Sequence, residues 1–172
     1  ASWSTYGIYW EDTIEIDIEK RTHSSISYGN GHFIAVGSDI LTSTDHINWS
    51  TYNLNINSGK YNPTLSSIAY GNGKFVSVGL DDLRAYSIDD GESWLVSSYS
   101  NSSDLSGVWW NKIIFYEGTF IAVGVDPSGD GTSGNLTVSM SNDGITWKDQ
   151  TNFKIENINI ISNYPTDICI IP

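Results

Sequence analysis

Basic residues are scarce in this 172-residue chain: Lys plus Arg number 8 against 20 Asp plus Glu, a net charge of −12. That balance argues against nucleic acid and anionic membrane as partners, because phosphate binding is driven by Lys and Arg. Charge of either sign is sparse at 16%, so Ser, Thr, Asn and Gly must cover much of the surface. The single Cys169 excludes an internal disulfide and reads as a small apolar strand residue. No run approaches the length of a bilayer-spanning helix. Ala- and Leu-rich helical stretches are missing too, and no segment reads as a helix. Residue 1 is Ala, with no charged-then-apolar leader pattern, which suggests a processed product or a fragment.

Glycine (16) and aromatics (13%) are plentiful, and their placement is periodic. Residues 24–39 (SSISYGNGHFIAVGSD), 66–81 (SSIAYGNGKFVSVGLD) and 111–126 (NKIIFYEGTFIAVGVD) align, with anchors Phe33, Phe75 and Phe120 at spacings of 42 and 45. A polar turn ending in Trp follows each, at 43–49, 89–94 and 141–147. Length varies mainly between these two marks, so the marks are scaffold and the variable stretches are loops.

Each repeat reads as strands. HFIAVG and KFVSVG alternate with period two, and Asn-Gly between two such runs favours a tight hairpin. Inner (SSIAY), second (KFVSVG), third (RAYS) and outer (SWLVSSY) strands make four per repeat, the period of a β-propeller blade. The expected fold is therefore all-β: one domain, 1–172, of four-stranded antiparallel blades, with repeats near 24–50, 66–95 and 111–148. Outer-strand and inner-strand remnants stand at 3–10 and 164–172, where YPTDICII echoes YNPTLSSI. TIEIDIEK (13–20) alternates as a strand does. Three blades are too few to close a ring. The chain is then an open arc of a longer protein, a ring built from copies, or about four blades closed by pairing the two remnants. The last is the expectation.

Ser87, Asp89, Gly91 and Trp94 fit the pattern Ser-x-Asp-x-Gly-x-x-Trp. This resembles the Asp-box, or bacterial neuraminidase repeat, of sialidase-like propellers. Counting back from the tryptophan, the third copy has Asp143, Gly144 and Trp147 with Met140 in the serine place. The first has Thr42, Asp45 and Trp49, with His46 for the glycine. The resemblance implies a folding device at an outer hairpin. It also raises glycoside hydrolysis, but sialidases of this family grip the substrate carboxylate with three arginines, and this chain has only Arg21 and Arg84. His23, His32 and His46 fall at different repeat positions, and no metal-ligand or nucleophile spacing is present. The chain is not expected to be an enzyme, and no cofactor or metal is assigned.

Repeat symmetry puts Asp39, Asp81 and Asp126 on one rim, two residues after Gly37, Gly79 and Gly124. Each is either a turn-starting Asx residue or part of an acidic rim for a cation or sugar hydroxyls. The loop 126–135, with Asp126 and Asp130, supplies oxygens for Ca²⁺ without EF-hand spacing. Trp109 and Trp110 precede the third inner strand, with Trp110 level with His23 and Leu65. One of two adjacent tryptophans faces the core, and the other is free to stack on a sugar ring or anchor a partner. The candidate ligand-binding residues are thus Trp109, Trp110, His23, Asp39, Asp81 and Asp126. The expected function is a non-catalytic binding module for a glycan or cell-surface receptor, secreted or on a phage or virion surface. The alternative is a protein-interaction propeller with other chains of a larger assembly, and a degenerate glycoside hydrolase fragment ranks third.

Overall fold

The computed structural model describes residues 4, 22–54, 56, 64–99, 107–127 and 134–151. Among them there is no helix, and hence none long and apolar enough to cross a membrane. Twelve strands form three sheets. The first blade is β1 (His23–Gly29), β2 (His32–Gly37), β3 (Ile40–Ser43) and β4 (Ser50–Tyr52). The second is β5 (Leu65–Gly71), β6 (Lys74–Gly79), β7 (Arg84–Ser87) and β8 (Leu95–Ser98). The third is β9 (Trp109–Tyr116), β10 (Thr119–Pro127), β11 (Gly134–Ser141) and β12 (Lys148–Thr151). In every sheet the strands neighbour one another in chain order, and all pairings are antiparallel. The expected blades are therefore present. The terminal segments 3–10 and 164–172, and TIEIDIEK, lie outside the described residues apart from Ser4.

Local chemistry explains the registers. Gly29 pairs with His32, Gly71 with Lys74 and Tyr116 with Thr119, leaving two residues in each first hairpin. Both must adopt positive φ in such a turn. Asn30 and Gly31 do so at 47° and 84°, Asn72 and Gly73 at 49° and 71°, and Glu117 and Gly118 at 45° and 79°. A bulge recurs near the start of each inner strand, at His23/Ser25 and Leu65/Ser67 and opposite Val123/Gly124. There Gly37, Gly79 and Gly124 lie so close to the neighbouring backbone that a Cβ would reach 1.8 Å from the Thr22 carbonyl, 2.1 Å from that of Thr64 and 2.5 Å from that of Trp109. Glycine stands at this point of each second strand because nothing larger fits.

The core lies between blades. Along β6 the two faces serve two different neighbours, as period-two alternation requires. Phe75 packs with Ile34, Val36 and Ile40 of the first blade and with Trp94. Val76 and Val78 pack with Phe120, Ala122, Ile113 and Trp110 of the third. One seating device occurs at both interfaces. A Cβ on Gly29 would lie 2.1 Å from Tyr70, and one on Gly71 would lie 2.2 Å from Phe115, so each ring rests on a glycine of the preceding blade. Beside it, Ile68 N–H donates to Ser25 Oγ at 3.4 Å and Ile113 N–H to Ser67 Oγ at 3.2 Å.

The acidic turns sit at the third hairpin of each blade, where the Asp-box resemblance put them. The serine is Ser43, Ser87 or Ser141, each donating Oγ–H to the aspartate two residues on (3.1, 2.7 and 2.9 Å). This corrects the assignment of Thr42 and Met140, because the first and third turns are one residue shorter between Asp and Trp than the second. The carboxylate then accepts backbone N–H groups: Asn48 and Ile47 for Asp45, Ser93 for Asp89, Thr146 and Ile145 for Asp143. The turn glycines press on the preceding blade, with a Cβ on Gly91 reaching 2.3 Å from Ile34 Cδ1 and one on Gly144 reaching 2.5 Å from Val76 Cγ2.

Two predictions follow from this packing and capping. Gly71→Ala and Phe115→Ala destabilise non-additively, by about 1 kcal/mol or more in a double-mutant cycle, because removing the ring makes room for the new methyl. Gly73→Ala, whose Cβ would meet nothing within 4 Å, adds to Phe115→Ala simply. Urea unfolding of the four variants decides it, and additivity within roughly 0.5 kcal/mol at Gly71 removes the seating argument. In the third turn, the Thr146 and Ile145 amides hold the Asp143 carboxyl down to about 2. A depressed carboxyl stabilises the fold above its unfolded value near 3.8, and that contribution fades as pH falls through about 2. The stability gap between the parent chain and Asp143→Asn therefore narrows between about pH 5 and pH 2; a constant gap contradicts the capping role.

Candidate functional site

The rim defined by aligned aspartates is the end where inner strands start and second strands finish. There the three blades differ. In the first, Gly37 N–H donates to the Asp39 carbonyl and Ser38 N–H to the Thr22 carbonyl, closing a short loop. The Asp39 side chain is fully enclosed, and Oδ1 lies 2.7 Å from His23 Nε2. Two candidate residues are thus brought together, but they engage each other. In the third blade Asp126 does not begin a turn, because β10 runs on and pairs it with Asn135. It is half-buried. Residues 128–133, which include Asp130 of the Ca²⁺ expectation, lie outside the described residues. Among the described residues no group of three or more His, Cys, Asp and Glu could hold a metal.

The second blade carries the denser chemistry. Its loop Leu80–Leu83 is two residues longer than the Ser38–Asp39 loop, and Asp81 and Asp82 both take positive φ, at 56° and 57°. Consecutive non-glycine residues in that region store backbone strain, of order 1 kcal/mol each. Asp82 is fixed across the blade boundary. Its N–H donates to the Val108 carbonyl at 2.7 Å, and Oδ1 accepts Trp110 Nε1–H at 2.8 Å. Oδ1 also lies 2.9 Å from an Arg84 guanidinium nitrogen, and Ser98 Oγ–H donates to Oδ2. The buried Arg84 guanidinium sits 4.6 Å from the Trp110 ring centroid and 5.3 Å from that of Trp147, within cation–π range of both.

Trp110 has no exposed surface, so it cannot stack on a ligand. Its ring is the core member of the adjacent pair, and it leaves the candidate site. Trp109 is half-buried and remains. Asp81 stands out among the three aligned aspartates. Burial pushes its carboxyl above the ordinary value, and Oδ1 is shielded from solvent without a hydrogen-bond partner. Because Asp82 N–H is bonded to Val108, Asp81 and Trp109 each adjoin one end of that 2.7 Å contact. A half-buried carboxylate and a half-buried indole presented on either side of that contact suit an N–H or O–H donor attached to an apolar or aromatic group.

Sequence reasoning passed over Asp82 and Arg84. The signal was available in the repeat register. Arg84 pairs with Val78 as Ile40 pairs with Val36 and Val138 with Val123, so a charged residue occupies an aliphatic strand position. The next repeat has Trp110 where the second has Leu65.

No protein-family model matches this chain, and no curated protein does. Among solved structures, YCF48 from Cyanidioschyzon merolae is similar at 19% identity and a TM-score of 0.51, over 76% of this chain and 40% of that one. YCF48 bound to D1 peptide is similar at 16% identity and a TM-score of 0.51, over 75% of this chain and 40% of that one. The fold is of the β-propeller type, with three four-stranded blades among the described residues. A further similarity, to sucrose-6-phosphate hydrolase from Lactobacillus gasseri, has 14% identity and a TM-score of 0.48, over 79% and 34% of the two chains, and bears on no chemistry. The chain spans about 40% of the length of either YCF48 chain it resembles.

The contact between second and third blades generates a test. Asp82→Ala leaves a buried guanidinium and an indole N–H without their carboxylate and lowers stability by about 3 kcal/mol. Asp81→Gly removes positive-φ strain and an Oδ1 that accepts no hydrogen bond, so it holds or raises stability by up to about 1 kcal/mol. Equal losses for both variants in urea unfolding contradict this division of roles.

Proposed function

We propose that this chain is a non-catalytic recognition module, and that the rim formed by the second blade's long loop and the start of the third inner strand binds a polypeptide. The observation that carries the proposal is Asp81: half-buried, with a carboxyl that meets no hydrogen-bond donor at its shielded Oδ1, open to a partner on its exposed side, and next to a loop residue locked onto the blade that presents Trp109. Such an acceptor suits a backbone amide or a Lys or Arg side chain, and a net charge of −12 favours a basic partner. A similar fold in YCF48 bound to D1 peptide supports a peptide as the class of ligand. The low charge and the polar uncharged surface fit a secreted or virion-surface setting. A glycan or glycosylated receptor is the second reading; it rests on Trp109, since Trp110 is enclosed.

The test uses fluorescently labelled chain on an immobilised library of basic and neutral peptides and on a glycan array. Peptide binding that drops about tenfold in both Asp81→Asn and Trp109→Ala, a change of roughly 1.4 kcal/mol, is the expected result. Glycan binding that depends on Trp109, with no peptide retained, replaces the polypeptide by a sugar. Turnover of a chromogenic glycoside overturns the non-catalytic reading.

A further inference from the structure

Blades two and three show what covers the leading face of an inner strand. Leu65, Ile68 and Tyr70 of β5 lie against the first blade, and Trp110, Ile113 and Phe115 of β9 against the second. The same three positions in β1 are His23, Ile26 and Tyr28. Ile68 is 5% and Ile113 2% exposed, whereas Ile26 and Tyr28 are each 59% exposed. Among the described residues, the first blade therefore presents a seating surface of the same kind that is uncovered at Ile26 and Tyr28.

The trailing face of the third blade is different. The glycine that receives the ring (Gly29, Gly71) is replaced by Tyr116, itself 42% exposed. Asn30 donates its amide to Asp90, and Asn72 donates to the Asn142 and Gly118 carbonyls, but their place is taken by Glu117. Ser25 and Ser67, acceptors for the next blade's isoleucine N–H, are replaced by Lys112. Three parts of the socket have been altered together. A second copy of this chain thus cannot seat Tyr28 on its third blade in the way the internal interfaces do. Its other two sockets are filled by its own Tyr70 and Phe115. The sequence contains Gly-Asn-Gly only at 29–31 and 71–73, so no third socket of that type is encoded in it.

The turn of the first blade adds a constraint. Gly91 and Gly144 press within 2.3 and 2.5 Å, by their virtual Cβ, on Ile34 and Val76 of the preceding blade. The first blade has His46 there, at φ 57°, so whatever lies opposite must be smaller than valine. We propose that the face of the first blade formed by Ile26, Tyr28 and His46 docks a further propeller blade, supplied from outside this 172-residue sequence. That blade bears a Gly-Asn-Gly first hairpin, a serine in the Ser25 position and Ala or Gly in the Ile34 position. Its hairpin asparagine meets the Thr44 carbonyl, the counterpart of the Asn142 carbonyl that Asn72 uses.

Hydroxyl-radical footprinting and thermal unfolding test this. One sample is the 172-residue chain at two concentrations. Another is the same chain with a second copy of residues 22–63 inserted before Thr22, the copy carrying Ile34→Ala for fit and Tyr28→Phe so that its peptides differ in mass. The expected result has native Tyr28 oxidised as an exposed ring in the parent at both concentrations. In the extended chain it slows to the rate of Tyr70, with a midpoint higher by about 5 °C or more. Adding Gly29→Leu within the copy abolishes both effects, and restoring Ile34 in the copy reduces them. Protection of Tyr28 in the dilute parent means that segments of this chain already cover it, and protection only in the concentrated parent means that a second copy does. Either outcome overturns the proposal. So does an extended chain in which Tyr28 stays exposed or the leucine socket protects it equally.

Discussion

The seating of an aromatic ring on a glycine of the blade before it is the contact on which this structure depends. A single four-stranded sheet of such short strands cannot bury enough apolar surface to stand alone. Stability comes from stacking, and stacking requires that sheets approach closely near the axis while splaying outward. Gly29 and Gly71 permit that approach because a Cβ on either would lie inside the Tyr70 or Phe115 ring. With the inner strands so placed, the Ile and Val residues of the second strands meet the Phe residues of the next blade. The acidic turns are the outer counterpart, clamping a hairpin whose glycine rests on the same preceding sheet.

Much of this was legible in the sequence because it is local or repeated. Asn-Gly turns, period-two strands and a 42-to-45-residue repeat fix the blades without any long-range information. Even the alignment of Trp110 with His23 and Leu65 is upheld, since Gly124, Gly79 and Gly37 approach these residues in the same way. The misplacement of Ser43 and Ser141 shows the limit. Counting back from tryptophan assumes turns of equal length, and the extra residue in the second turn, Asp90, bulges at φ 60° to meet Asn30. Which tryptophan of the Trp109–Trp110 pair is buried was not readable either. Trp110 is enclosed by Val76 and Val78 of the neighbouring blade and by Arg84, which comes from 26 residues earlier in the chain.

The candidate site was legible only as a rim. Repeat symmetry placed three aspartates at equivalent positions, but equivalent position is not equivalent chemistry. Asp39 faces His23, Asp126 continues a strand, and only Asp81 holds a shielded acceptor without a partner. Loop length made the difference. Two extra residues let Asp82 cross to the third blade, and that anchorage sets the backbone from which Asp81 projects.

The two internal interfaces are built on the same plan and filled differently. Between the first and second blades, Ile40 and Leu65 share one apolar cluster. At the equivalent place between the second and third, the guanidinium of Arg84 lies over Trp110 and beside Asp82. A buried ion pair adds little net stability over a well-packed aliphatic pair, because desolvating both charges offsets most of their attraction. Its effect is on which blade fits where. If the second blade were followed by a copy of itself, Arg84 would face Leu65, losing the indole N–H partner of its carboxylate and the nearer of its two flanking rings. That arrangement would bury a charge with less than it needs, whereas the native order satisfies it. Near-identical repeats can exchange neighbours during folding. The Arg84–Asp82–Trp110 group ties the third blade to the second by a contact that the Leu65 position cannot reproduce.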